Sequence, residues 1–92
     1  MIRTLFVASG RVQGVGFRAY VCKIANSLQL VGYAKNLPDG TVEILVEGDE
    51  KKTQELAERI RKTKLPLIYV ENLQQIRQEK ITKLIYSSFF SK

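Results

Sequence analysis

The stretch GYAKNLPDGTVEILVEGD, Gly32 to Asp49, decides the fold. At its centre Pro38-Asp39-Gly40 spells a turn: proline presets φ, aspartate tolerates the bend and glycine takes a positive φ. After the turn, Val42, Ile44 and Val46 alternate with Thr41, Glu43, Leu45 and Glu47, the period of a strand. The segment therefore reads as a hairpin, and the rest of the chain is placed by working outward from it. Upstream, FRAYVCKIANSLQL (17–30) carries Phe17, Val21, Ile24 and Leu28 at helical spacing, with Gly32 as the expected stop signal. Before that, IRTLFVAS (2–9) reads as a strand covered on at least one face. Downstream, DEKKTQELAERIRKTKLP is a second helix that Asp49 can cap. Thr53, Leu56 and Ile60 form its buried stripe, and Lys51–Glu55 and Glu55–Arg59 are four-residue charge pairs on the wet side. Pro66 closes it. LIYVENLQQI (67–76) is then a strand and KLIYSSFF (83–90) a final short one.

The order strand, helix, strand, strand, helix, strand asks for one sheet whose face takes both helices. The expectation is an α+β, ferredoxin-like split βαβ sandwich (βαββαβ). Two helices cover one face of an antiparallel sheet of four strands, with an extra strand at the C-terminus. At 92 residues, residues 1–92 are expected to form a single domain.

Composition removes several chemistries. There is no histidine, so phosphohistidine intermediates, histidine acid–base catalysis and histidine zinc sites are absent. The one cysteine, Cys22, forms no internal disulfide, and the residue six after it is Leu28, not the arginine of a cysteine phosphatase loop. Cys22 is expected to serve as a small buried side chain. No apolar run approaches the roughly 20 residues that span a bilayer, and the N-terminus lacks a signal-peptide core. The expected setting is the cytoplasm, with no membrane partner. The net charge of +6 is spread along the chain, which reads as a solvated surface with a mild preference for anions, not as a nucleic-acid footprint.

SGRVQGVGFR, Ser9 to Arg18, is the stretch with chemistry in it. Gly10, Gly14 and Gly16 let successive N–H groups turn inward. The loop feeds a helix N-terminus, which also favours an anion. Arg18 stands in the first helical turn with a planar fork that grips two phosphate oxygens at once. The backbone of Val12, Gln13, Gly14, Val15, Gly16 and Phe17 with Arg18 is thus a candidate phosphate cradle; Arg11 and the Gln13 side chain are assigned to shaping the loop. Topology supplies a partner. The helix returns the chain so that the end of the next strand, at Lys35 and Asn36, lies at the loop's edge of the sheet.

Two other readings of the loop compete. GVGFRA, Gly14 to Ala19, fits a dinucleotide fingerprint, but no acid follows at the end of the next strand and the chain is too short for both halves of that fold. QGVGFRAY approaches the octapeptide of RNA-recognition motifs, which share the element order. Its first aromatic position holds Val15, however, and it follows the first strand instead of lying on the third.

At these residues the sequence resembles the acylphosphatase family. GRVQGVGFR (Gly10–Arg18) looks like that family's first signature. GYAKNLPDGTVEILVEG (Gly32–Gly48) looks like its second, with Gly32, Tyr33, Lys35, Asn36, Gly40, Val42 and Gly48 in place. The likeness in element order covers nearly the whole chain, with a poorer match in the tail after about Gln75. The resemblance implies hydrolysis of acyl phosphates to carboxylate and inorganic phosphate, with Arg18 binding the phosphate and Asn36 positioning the attacking water. It implies a monomer that needs no metal and no cofactor. It also leaves open a non-catalytic module that binds an acyl phosphate or carbamoyl phosphate within a larger protein, with an RNA-binding domain of the same fold as the remaining alternative.

Overall fold

The computed structural model describes all 92 residues. The elements run β1 (Ile2–Arg11), α1 (Phe17–Ser27), β2 (Val31–Asn36), β3 (Val42–Gly48), α2 (Glu50–Arg61), β4 (Tyr69–Lys80) and β5 (Phe89–Ser91). They build one mixed sheet in the order β4-β1-β3-β2-β5, with both helices on one face. β3 pairs antiparallel with β1 and with β2, so β1 and β2 are parallel to each other and flank it. β4 closes one edge antiparallel to β1, and β5 closes the other, parallel to β2. The first four strands are the expected split βαβ arrangement.

The helices form because their apolar residues share one face. Phe17, Val21, Ile24 and Ala25 of α1 are buried, as are Thr53, Leu56, Ala57 and Ile60 of α2. They meet Phe6, Ala8, Ala34, Val42, Ile44 and Val46, the residues that alternate onto the helix side of the sheet. Asp49 caps α2 as expected, accepting from the Lys52 N–H at 3.1 Å. Of the two expected charge pairs on α2, only Glu55–Arg59 forms; the second pair is Glu58–Lys62.

Five boundaries differ from the sequence reading: α2 ends at Arg61 instead of running to Pro66, β4 is Tyr69–Lys80 instead of 67–76, and three others follow. α1 ends at Ser27, three residues early, because Gln29 turns left-handed (φ 60°) and the Leu30 N–H closes on the Ala25 carbonyl; Gly32 lies inside β2. β1 continues two residues past Ser9, since Gly10 and Arg11 pair with Val70 and Tyr69. The last strand is Phe89–Ser91, and residues 83–88 are irregular. Its apolar residues do not alternate into a sheet, because the segment crosses the helix-free face as a strap.

Glu47 holds that strap. Its side chain is wholly buried, and alternation puts it on the helix-free face beside Leu45. One carboxylate oxygen takes Arg3 through Nε at 2.8 Å and Nη2 at 2.7 Å; the other accepts the N–H groups of Ile85 at 2.8 Å and Tyr86 at 3.1 Å. Burial pushes this carboxyl up, but the Tyr86 N–H, the Arg3 guanidinium and the Ile85 N–H outweigh it and hold it below 4.5. Beside it, Tyr86 packs edge-on against Tyr33 with centroids 5.8 Å apart, over Leu5 and Leu45.

Two outcomes are expected. Ile60→Ala, at a fully buried position, costs about 2–5 kcal/mol in urea unfolding. Because the folded-state pKa of Glu47 is depressed, its contribution is complete above 4.5 and is lost as pH falls through the lower folded value. Unfolding free energy therefore drops below pH 4.5, and Glu47→Gln makes that drop shallower; the remaining slope comes from Asp39 and Glu58, whose carboxyls Thr41 and Lys62 also hold low.

Candidate active site

β1 delivers the chain to the end of the sheet, and residues 12–16 cross to the start of α1. Gly10 is required by a close approach: at φ 122°, any Cβ there would collide with the Tyr69 carbonyl oxygen of β4. The loop glycines do a different job. Gly14 and Gly16 are left-handed (φ 73° and 82°), and a Cβ on either would meet only open space, so backbone conformation alone selects glycine. The loop glycines therefore shape the backbone, whereas Gly10 makes room for β4.

That backbone leaves donors unused. No main-chain N–H from Val12 to Gly16 bonds to another group of the chain, and α1 begins without a side-chain cap. Its first bond runs from the Tyr20 N–H to the Gly16 carbonyl at 3.0 Å, which leaves the N–H groups of Phe17, Arg18 and Ala19 outside the helical ladder. Unpaired N–H groups beside the positive end of a helix dipole make a strong anion site.

Those residues surround a small cleft of about 190 Å³, lined by Val12, Gly14, Gly16, Phe17, Arg18, Ala19 and Ser91. Arg18 reaches across it, and its Nη1 donates to the main-chain oxygen of Lys92 at 3.1 Å. That bond uses one of five guanidinium donors and orients the rest. Gln13 and Val15 alternate along the loop with these lining residues, and their N–H groups are likewise unbonded. The Gln13 side-chain amide donates to the carbonyls of Leu37 and Thr41, both at 2.8 Å, and so ties the loop to the β2–β3 turn.

This is the meeting that strand order implies. Asn36, the last residue of β2, stands next to Leu37 and thus one residue from the Gln13 clasp. It is half-buried and does not line the cleft itself. Its Oδ1 is the one buried side-chain polar atom of the chain without a hydrogen-bond partner. Such an acceptor costs about 1–3 kcal/mol unless something donates to it.

Other candidates are placed less centrally. Arg11 ends β1 exposed, and Lys35 is exposed on β2. Asp39 serves the turn, accepting from the Thr41 N–H at 3.0 Å and its hydroxyl at 2.6 Å, and is no free base. Cys22 is half-buried, not fully buried as expected, and packs against the core; burial pushes its thiol up, against the pull of Arg18 one turn away. No group of three His, Cys, Asp or Glu side chains is placed to hold a metal ion. No helix is long and apolar enough to cross a membrane. The sequence reading missed Ser91 and the Lys92 main chain. Three residues of strand at a remote edge carry no periodic signal that could have placed them.

A family model described as Acylphosphatase matches residues 4–90, and so takes in the tail after Gln75 through the strap and into β5. An acylphosphatase of Methanospirillum hungatei is 44% identical over 73 residues, covering 79% of this chain and 80% of that one. The crystal structure of acylphosphatase from Bacillus subtilis superposes with a TM-score of 0.90 at 33% identity, covering 100% of this chain and 99% of the other. The structure of HypF from T. kodakarensis matches at a TM-score of 0.83 and 34% identity; this chain covers 12% of it.

With the fold intact, Gly10→Ala is expected to lower the urea midpoint more than Gly16→Ala. The first forces two strands apart, whereas the second costs only the left-handed conformation, about 1–2 kcal/mol. Equal losses would contradict the two separate jobs.

Proposed function

Since the chain belongs to the acylphosphatase family and hydrolyses acyl phosphates, we propose how its residues divide that reaction. The phosphoryl group sits on the N–H groups of Val12, Gln13, Gly14, Val15, Gly16 and Phe17, with Arg18 gripping its oxygens. Asn36 holds the attacking water, which donates one hydrogen to Oδ1. The observation that carries this reading is the pairing of unused loop N–H groups with an unpartnered buried acceptor at the same end of the sheet.

The chemistry suits such a sparse site. Water attacks phosphorus, the bond from phosphorus to the acyl oxygen breaks, and the carboxylate leaves as a stable anion that needs no protonation. The proton of the water passes to a phosphoryl oxygen, so no general base is required. No histidine is present to serve as one, and Asp39 is engaged in its turn. Orientation of the water and stabilisation of spreading negative charge are then the main contributions. The reading calls for no metal and no cofactor. It places the protein in the cytoplasm, as a single domain spanning residues 1–92 and as a monomer, with a small acyl phosphate as its partner. Nucleic acid has no role in it, because Tyr33, Tyr86 and Phe90 pack on one another over the helix-free face where bases would stack.

A second reading follows from the match to HypF, where the likeness covers a small part of a larger chain. In that reading the cleft binds an acyl phosphate or carbamoyl phosphate for another domain without turning it over.

Both are tested with a small aromatic acyl phosphate in the presence of chelator. Carboxylate and phosphate appear well above the buffer rate if the residues act as proposed; tight binding without release supports the second reading. Arg18→Ala weakens inorganic phosphate and substrate together, by about 2–4 kcal/mol for a charge-assisted, partly desolvated contact. Asn36→Ala lowers turnover while phosphate still binds. Equal loss of phosphate affinity in both variants would overturn the division of labour.

A further inference from the structure

The contacts of Glu47 form a continuous path to the cleft, although the two lie on different sides of the sheet. The path begins at the carboxylate oxygen that accepts the consecutive N–H groups of Ile85 and Tyr86. Two residues further, the Ser88 carbonyl accepts the Gly32 N–H at 3.0 Å, which starts β5 against β2. β5 is only three residues long, and the Lys92 N–H then donates to the Ala34 carbonyl at 2.8 Å. The Lys92 main-chain oxygen ends the path on Arg18. No other protein group hydrogen-bonds to the Arg18 side chain.

We propose that Glu47 is a positioning residue for Arg18, acting through the strap and β5. The proposal rests on the reading in which Arg18 grips the phosphoryl group. Phe89 seats β5 in the core, but among residues 83–88 before it only Tyr86 is half-buried, so apolar contacts do not by themselves set the register of the strap. Tyr86 and Phe90 lie against Tyr33 as tilted or edge-on rings, contacts that tolerate sliding along the chain. Two N–H groups bonded to one oxygen do not tolerate it. A slip of one residue would exchange the bonded amides and carry the Lys92 oxygen off Arg18. β5 is three residues long and is held by Phe89 in the core and by the Asn26 amide on the Phe89 carbonyl at 3.4 Å, so the Glu47 bonds and Phe89 together fix the two ends of residues 85–89. Arg3 makes the anchor firm: it neutralises the buried carboxylate from the opposite side and is itself bound to Glu79 at 3.2 Å. Arg3 belongs to β1, Glu47 to β3 and Glu79 to β4, so the anchor is set in the three strands of the sheet farthest from β5.

The test compares Glu47→Gln, Arg18→Ala and the double variant, at a temperature where circular dichroism shows all of them folded. Glutamine keeps an acceptor for the strap but loses the charge that strengthens both amide bonds and holds Arg3. Inorganic phosphate affinity, read by NMR titration, and kcat/KM should fall together by about 3- to 10-fold in Glu47→Gln. In the Arg18→Ala background the same substitution should cost nothing further. Ile85→Pro removes one amide donor at an exposed side chain while leaving Glu47 and Arg3 intact, and it should move phosphate affinity the same way. Unchanged phosphate affinity in Glu47→Gln and Ile85→Pro overturns the proposal, as does a Glu47→Gln loss that persists undiminished without Arg18. If Arg18→Ala itself leaves phosphate affinity intact, the reading of the cleft fails first, and the proposal falls with it.

Discussion

Insertion of β3 between β1 and β2 is the constraint on which the rest of this structure depends. Both edges of β3 are hydrogen-bonded, and its alternate residues Val42, Ile44 and Val46 are fully buried under the helices. β1 and β2 must then run parallel, and the connection between them must cross the sheet, which α1 does. The loop before α1 and the last residue of β2 are thereby delivered to one edge. The proposed site is a consequence of strand order, and its parts need no other device to find each other than the Gln13 amide, which closes the remaining gap.

The site is economical because it relies on backbone. Loop N–H groups and a helix terminus supply fixed dipoles, and left-handed glycines supply the curvature. Only two side chains, Arg18 and Asn36, carry roles in the proposed reaction. A phosphoryl group with a good leaving group asks for orientation and charge compensation more than for proton transfer, which is consistent with a chain that has no histidine at all. The cost of this economy is that a long, half-exposed arginine must be oriented from elsewhere, here by a main-chain oxygen brought from the far end of the chain.

The helix-free face shows how a small domain uses a surface that a larger one would cover with a second layer. The strap lays Tyr86 over Tyr33, Leu5 and Leu45, and the buried Glu47 satisfies amides that no strand pairs. A buried carboxylate is costly unless charge and donors surround it, and Arg3 with two N–H groups meets that condition. The same residue therefore serves stability and fixes the path of the chain toward β5.

Much of this was legible in residues with local meaning. Pro38-Asp39-Gly40 specified its turn, Thr53, Leu56 and Ile60 their helix face, Asp49 its cap, and Gly14 and Gly16 a left-handed loop before α1, because dihedral preference and side-chain period act over a few residues. Element order then placed Asn36 at the loop. The sequence could not show that Gly10 makes room for β4, that Gln13 clasps the turn, or that α1 stops at Ser27 before a left-handed Gln29. Nor could it show that residues 83–88 form a strap and not a strand, with Glu47 buried beneath them. Those outcomes depend on partners 24 or more residues away, as Gln13 on Leu37 and Glu47 on Ile85, or on a turn closed by one backbone bond, as at Leu30. Local propensity and period determine which elements exist, whereas the burial of long-range polar groups, visible only once the sheet is assembled, decides how their ends are tied.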